Sequence, residues 1–282
     1  MDPLSRRSLL GLAAAAPFAS SLLGAKNIPI GLELYSVRNE LKQDQTATVR
    51  AVAKMGYEIV EFFSPYYAWT TDQTKDVKKL LDDLGIKCLS THNDPKNFLA
   101  ENLSRTAELN NILGAKYVVM ASAGRPQGVE GWQKVADTLN RATMAWQSAG
   151  LRAGYHNHQT EFMTTLEGEW KRPMDLLAAH THSDVMLQFD VGTCVEAGSD
   201  PVAWVKANPG RIRSMHLKDW APGPDKGYKV LFNEGVVPWK PIFEAAEQTG
   251  GVEYYLIEQE GSRFPAFETA EKCLANFKKL RA

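Results

Sequence analysis

From residue 26 onward, short apolar runs alternate with longer stretches in which apolar residues return at helical spacing. The short runs predict strands over residues 30–36, 57–63, 87–91, 117–121, 152–157, 185–190, 212–217 and 254–259, each bounded by Gly, Asn, Asp or Pro. The longer ones predict helices over residues 47–55, 76–84, 103–113 and 133–149. Each of these stops directly before a glycine (Gly56, Gly85, Gly114, Gly150), as a helix with a left-handed C-terminal cap does. Eight strands, each followed by a helix, read as βα repetition around a parallel sheet. Eight units favour closure into a single-domain (β/α)₈ barrel spanning residues 26–282, with an open doubly wound sheet as the alternative. No composition shift, low-complexity linker or GxGxxG after the first strand divides this stretch.

Residues 1–25 stand apart. Ser5-Arg6-Arg7-Ser8-Leu9-Leu10 is followed by an apolar run from Gly11 to Ala25 that has no polar helical face and is interrupted by Pro17. Paired arginines, a short apolar region and small residues at its end predict a twin-arginine signal peptide, and hence a periplasmic protein. The run is too short and too broken by Pro17 to predict a membrane span, and none is expected in the mature chain. Three widely spaced cysteines, Cys88, Cys194 and Cys273, imply no disulfide framework.

With 44% hydrophobic and 23% charged residues the chain can build a large core. Its net charge of −1 argues against a nucleic-acid or anionic-membrane partner, which would call for a basic surface.

Chemistry gathers where the predicted strands end. Strand three ends in Thr91-His92-Asn93-Asp94 and strand five in Tyr155-His156-Asn157-His158, with Glu161 close behind. Strand six ends in Asp190, strand seven in His216-Leu217-Lys218-Asp219 and strand eight in Glu258-Gln259-Glu260, while strands one and two carry Glu33 and Glu61. A lone strand-end Asp is explained as a helix cap, and a lone His as a structural group. Five strand ends at one rim are not, because a parallel barrel gathers its C-terminal ends around a single mouth. Carboxylates and imidazoles crowded there are costly to desolvate unless a cation or hydrogen bonds compensate them. Oxygen and imidazole donors without cysteine suit Mn²⁺ first, with Co²⁺, Mg²⁺, Fe²⁺ and Zn²⁺ as alternatives. The segment 220–238, rich in Pro and Gly, reads as a long loop on the same face. Phe63, Tyr66, Tyr67, Trp69 and Trp220 cluster after strands two and seven, as loop packing, a sugar-stacking platform or a homo-oligomer contact.

The strings YHNHQTEF, LQFDVGTCVEAGSDPVAWV, PGRIRSMHLKDW, NEGVVPWKPIFEAAEQTG and YYLIEQEG resemble the xylose-isomerase-like TIM barrels, the sugar phosphate isomerase/epimerase family, in its inosose-dehydratase-like and keto-sugar-processing branches. The resemblance implies one divalent metal ion held by four strand-end ligands. Asp190, His216 and Glu258 match the ligands of strands six, seven and eight. The strand-five ligand is Glu161 reaching back from its loop, or His156 directly; Glu161 is the preferred expectation. Glu258, Glu161, His158 and Lys218 are then the catalytic candidates, and His92, His156, Trp220 and Glu33 the substrate-binding ones.

Such a site suits a sugar or keto-sugar whose carbonyl-adjacent proton is moved through an enediolate, giving an isomerase or epimerase. A lyase on the same scaffold, dehydrating an inosose-like substrate or cleaving a 3-keto-glycoside, is the alternative, and a non-catalytic periplasmic sugar-binding protein the third reading. An endonuclease-like phosphodiesterase would call for further histidines and a basic face.

Overall fold

The structure, a computed structural model, describes residues 27–168 and 171–282, so the signal-peptide expectation for residues 1–25 lies outside the described residues. Among the described residues no helix is long and apolar enough to cross a membrane.

Eight strands form one parallel sheet: β1 (Ile30–Glu33), β2 (Ile59–Glu61), β3 (Ser90–Asn93), β4 (Tyr117–Met120), β5 (Arg152–His156), β6 (Met186–Asp190), β7 (Ser214–His216) and β8 (Tyr254–Ile257). Seven ladders join them in the order β2-β1-β8-β7-β6-β5-β4-β3. The ring is drawn together between β2 and β3 by two single bridges, Ile59 to Lys87 and Phe62 to Thr91. Val60 N–H donates to Lys87 O at 2.8 Å and His92 N–H to Phe62 O at 2.7 Å. The sheet is therefore a nearly closed barrel rather than an open one. The third strand runs later than its apolar run suggests, because Lys87 makes one isolated bridge and the ladder begins at Ser90.

The expected helices are present; three start earlier than their apolar periodicity does, and Leu103–Leu113 starts where it predicts. Thr71–Leu84 begins on a capping box, in which the Thr70 hydroxyl accepts from Gln73 N and the Gln73 side chain accepts from Thr70 N. Gln45–Met55 and Leu103–Leu113 end on Gly56 and Gly114, at φ of 99° and 81°. Those backbone angles admit glycine readily and other residues only under strain. Helix Gly128–Trp146 tightens into a 3₁₀ turn, Gln147–Ala149, before Gly150.

Side chains alternate across each strand, so positions two apart share a face. The outward positions pack with the helices into the main core. The inward ones build layers inside the barrel. Ile59, Tyr117, Val119, Met186, Tyr254 and Leu256 form an apolar floor. Gly31 gives that floor its room: a Cβ there would lie 2.7 Å from both Ile59 and Leu256. Two residues on, the same strand faces turn polar. Ile59 leads to Glu61, Met186 to Gln188 and Asp190, Leu256 to Glu258, and Ser214 to His216 and Lys218.

The long segment after β7 holds no helix before Trp239–Ala245. It folds around the Asp219 carboxylate, which accepts from the backbone N–H groups of Trp220, Asn233, Gly235 and Val237 and from Trp239 Nε1. Cys88, Cys194 and Cys273 are buried and free.

Candidate metal centre at the barrel mouth

Glu33, Glu61, His92, His156, Asp190, His216, Lys218 and Glu258 are all buried, and their side chains converge at the C-terminal end of the barrel. Asp190 both caps a helix and faces the cluster. Its Oδ1 accepts from Thr193 N at 3.2 Å, opening helix Val191–Glu196. Its Oδ2 is buried without a hydrogen-bond donor, the nearest charge being the Lys218 ammonium at 3.3 Å. Asn157 fixes the backbone here, accepting from Asp190 N at 3.0 Å and donating to Asp190 O at 3.1 Å.

His216 is held at both ring nitrogens, with Nδ1 2.7 Å from Glu258 Oε2 and Nε2 2.8 Å from Glu61 Oε2. Burial alone would lower its pKa, but these two carboxylates raise it from the usual 6.5 to about 9. Lys218 is 1% exposed, with Nζ 2.7 Å from Glu260, 3.2 Å from Glu258 and 3.3 Å from Asp190. Burial pulls its pKa down, yet Glu258, Asp190 and Glu260 together lift it well above the ordinary lysine value. Lys218 is thus an interior cation. Glu258 is held well below the usual carboxylate range, because Lys218 and His216 outweigh its burial. Glu33 is pushed well above that range by burial and by the nearby Glu61 and Glu258.

Gln188 sets the imidazoles. Its Nε2 lies 2.9 Å from Glu61 Oε1, which can only accept, so the amide nitrogen faces Glu61 and the carbonyl faces away. That carbonyl is 2.5 Å from His92 Nε2 and 3.2 Å from His156 Nδ1. Both rings must donate to it. Burial lowers the pKa of both imidazoles, and for His156 the neighbouring His216 adds to the effect, so both are neutral. Each neutral ring therefore turns a bare nitrogen toward a carboxylate: His156 Nε2 toward Asp190 Oδ2 at 3.8 Å, and His92 Nδ1 toward Glu33 Oε1 at 3.9 Å. One donor atom each from His156, Asp190 and Glu258 lies within 4.8 Å of the others, as does one each from Glu33, Glu61 and His92.

Glu161 is not where the sequence expectation puts it. Tyr155 alternates outward from β5, and its hydroxyl donates to Glu161 Oε1 at 2.7 Å. The other oxygen accepts from His158 N and Thr160 Oγ1, both at 2.9 Å. The carboxylate is consumed in closing its own loop and belongs to none of the three-residue groups, and the β5 residue in the cluster is His156. His158 is half-buried, its ring edge-on to His156 at 5.0 Å. Trp220 is half-buried, with its backbone held by Asp219 and Val236. Of the aromatic cluster, Tyr66 is buried on Asn93 and Trp69 packs against Phe62 and Tyr66, which ties this loop to the barrel.

A family model described as the xylose isomerase-like TIM barrel matches residues 49–280. The chain belongs to that family. Among curated relatives, inosose dehydratase of Lacticaseibacillus casei is 27% identical over 196 residues, covering 57% of this chain and 64% of that protein. The chain thus spans a little under two thirds of that relative's length. The crystal structure of a sugar phosphate isomerase/epimerase from Parabacteroides distasonis ATCC 8503 superposes with a TM-score of 0.74 at 27% identity, covering 92% of this chain and 96% of that one. The IOLI protein, crystallised with a bound zinc atom, shares the fold at a TM-score of 0.66 and 16% identity, over 90% of this chain and 99% of its own.

Within this xylose isomerase-like barrel, Gln188 and Glu61 hold positions in the site to which the sequence analysis assigns no role. A signal for Gln188 was present: a glutamine two residues before Asp190 in an otherwise apolar strand must share its inward face. The reach of its amide to β2 and β3 is a property of ring closure, which spacing along the chain does not carry.

Proposed function

We propose that this chain is a divalent-metal-dependent enzyme that moves the proton next to the carbonyl of a sugar or keto-sugar, as an isomerase or epimerase. The observation that carries the reading is Asp190 Oδ2, buried with no hydrogen bond and only the Lys218 ammonium at 3.3 Å beside it, facing the bare Nε2 of neutral His156, with Glu258 within reach of both. A buried acceptor set of this kind calls for a cation. Donors of two carboxylates and imidazole fit Mn²⁺, Fe²⁺, Co²⁺ or Zn²⁺. His156, Asp190, His216 and Glu258 would hold the ion, and the bound zinc of the IOLI protein supports a metal in this fold.

When bound, such an ion supplies a Lewis acid to substrate oxygens. The chain's own groups do the rest. Glu258, held ionised, accepts the carbon-bound proton at Oε1, the oxygen facing Lys218. The Lys218 ammonium stands ready to hydrogen-bond the oxygen on which charge develops, in a site dry enough for that bond to count. General acid–base help of this kind is worth about 10²–10⁴-fold. Glu61 anchors the far nitrogen of His216 and keeps its ring in place.

Dehydration is the second reading, favoured by the inosose dehydratases among the relatives. It uses the same proton abstraction followed by loss of a β-hydroxyl. Mn²⁺-loaded protein incubated in D₂O with free ketoses, aldoses and inososes, followed by NMR, tests both. Deuterium at the carbonyl-adjacent carbon with the skeleton intact is the expected result; net loss of water selects the second reading, and no exchange with any of them sinks both. The Arg6-Arg7 motif supports export as part of the proposal, checked by fusing residues 1–30 to a reporter active only in the periplasm.

A further inference from the structure

We infer that Glu33, Glu61 and His92 form a second divalent-cation site, on the β1–β3 arc of the barrel mouth and across His216 from the first. These residues stand on three adjacent strands, and one donor atom from each lies within 4.8 Å of the other two. None of them belongs to the ligand set proposed above.

Their hydrogen bonding is incomplete in one particular way. Glu33 is fully buried; its Oε1 meets only the Tyr35 backbone N–H at 3.4 Å, and its Oε2 accepts nothing. His92 has its Nε2 proton committed to Gln188, which leaves the Nδ1 lone pair facing Glu33 Oε1 at 3.9 Å. Glu61 Oε2, 3.3 Å from His92 Nε2, accepts from His216 and keeps a second lone pair. No neighbouring group donates to Glu33 Oε2, so a cation bound there would displace only the carboxyl's own proton. The buried ammonium of Lys218 does not serve them, since its partners are Asp190, Glu258 and Glu260.

Four buried carboxyl groups, Glu33, Glu61, Asp190 and Glu258, face Lys218 and the imidazoles. Two carboxylate oxygens and one imidazole nitrogen are a donor set for Mn²⁺, Fe²⁺, Co²⁺ or Zn²⁺. The inference adds to the metal-dependent reading, and its test separates the two.

Full-length protein is titrated with Mn²⁺ alone, and bound metal is read by mass spectrometry and electron paramagnetic resonance. The expected result is two ions per chain with a spin-coupled spectrum. Glu33→Gln and His92→Asn should each retain one ion with the resolved hyperfine lines of an isolated Mn²⁺, and Asp190→Asn should lose the other. One isolated ion in the unmutated chain, or two that persist in both Glu33→Gln and His92→Asn, overturns the second site. If the single ion then disappears in Asp190→Asn, the first site stands alone, with a proton shared between Glu33 and Glu61. No bound Mn²⁺ at all overturns both.

Discussion

Gln188 reaches across the barrel to Glu61, Nε2 to Oε1 at 2.9 Å, and this one hydrogen bond decides the tautomers of two histidines. With the amide nitrogen fixed, the carbonyl end collects the N–H groups of His92 and His156 and leaves each ring's other nitrogen bare. Gln188→Leu removes the acceptor while keeping similar bulk, freeing both rings to flip. Loss of a group that orients ligands typically costs 10–100-fold in metal affinity. We expect Mn²⁺ to bind about 10–100-fold more weakly in Gln188→Leu by competition with a chelator. Unchanged affinity would show that the rings are oriented by packing alone.

The metal-free protein should be most stable near neutral pH. His216 has its folded-state pKa raised from 6.5 to about 9, so the stability it contributes is complete below pH 6.5 and is lost as pH climbs through about 9. His92 and His156 have theirs lowered, so what they contribute is present above pH 6.5 and is lost below it. Melting temperatures of chelator-treated protein from pH 5 to 10 should therefore trace a maximum. A metal that takes the His216 proton's place removes the alkaline limb, because ligation already requires the neutral ring. A melting temperature that rises steadily from pH 7 to pH 9 without metal contradicts the His216–Glu258–Glu61 pairing.

Much of this architecture is legible along the chain. The glycines after four helices and the short apolar runs between them predict eight βα units, and Asp190, His216 and Glu258 announce themselves as polar groups ending apolar strands. What the chain does not display is which way a side chain turns once its strand ends. Glu161 follows β5 by only a few residues, but Tyr155 lies on the outward face and draws the carboxylate away from the mouth. Lys218 is a catalytic candidate in the sequence, but nothing along the chain shows how deeply it is buried. It is buried because two carboxylates from neighbouring strands, Asp190 and Glu258, flank it. Both outcomes depend on neighbours far away in sequence.

Glu161→Gln separates a loop clasp from a ligand. The substitution weakens the contacts to Tyr155 Oη, Thr160 Oγ1 and the His158 backbone without emptying the space. Disturbing buried hydrogen bonds of this kind costs about 1–3 kcal/mol. Denaturant midpoints should drop accordingly, with the number of Mn²⁺ ions per chain unchanged. Loss of an ion with stability intact would return Glu161 to the ligand set.

Gly192 offers the narrowest test of how β6 and β7 are set against each other. It sits two residues past Asp190, and a Cβ there would drive into the Lys218 carbonyl oxygen and lie 3.0 Å from the carbonyl carbon, a backbone neighbour that cannot rotate away. Gly192→Ala must therefore push the end of β6 from that of β7, widening the 3.3 Å approach of Lys218 Nζ to Asp190 Oδ2. Misplacement of a positioned group by about 1 Å can cost on the order of 10²-fold in rate. We expect Gly192→Ala to lose that much turnover while remaining folded by circular dichroism. Gly261→Ala, where a Cβ meets nothing within 4 Å, should keep full activity and serves as the control. Equal turnover in the two variants would mean that the Asp190–Lys218 distance does not govern the chemistry.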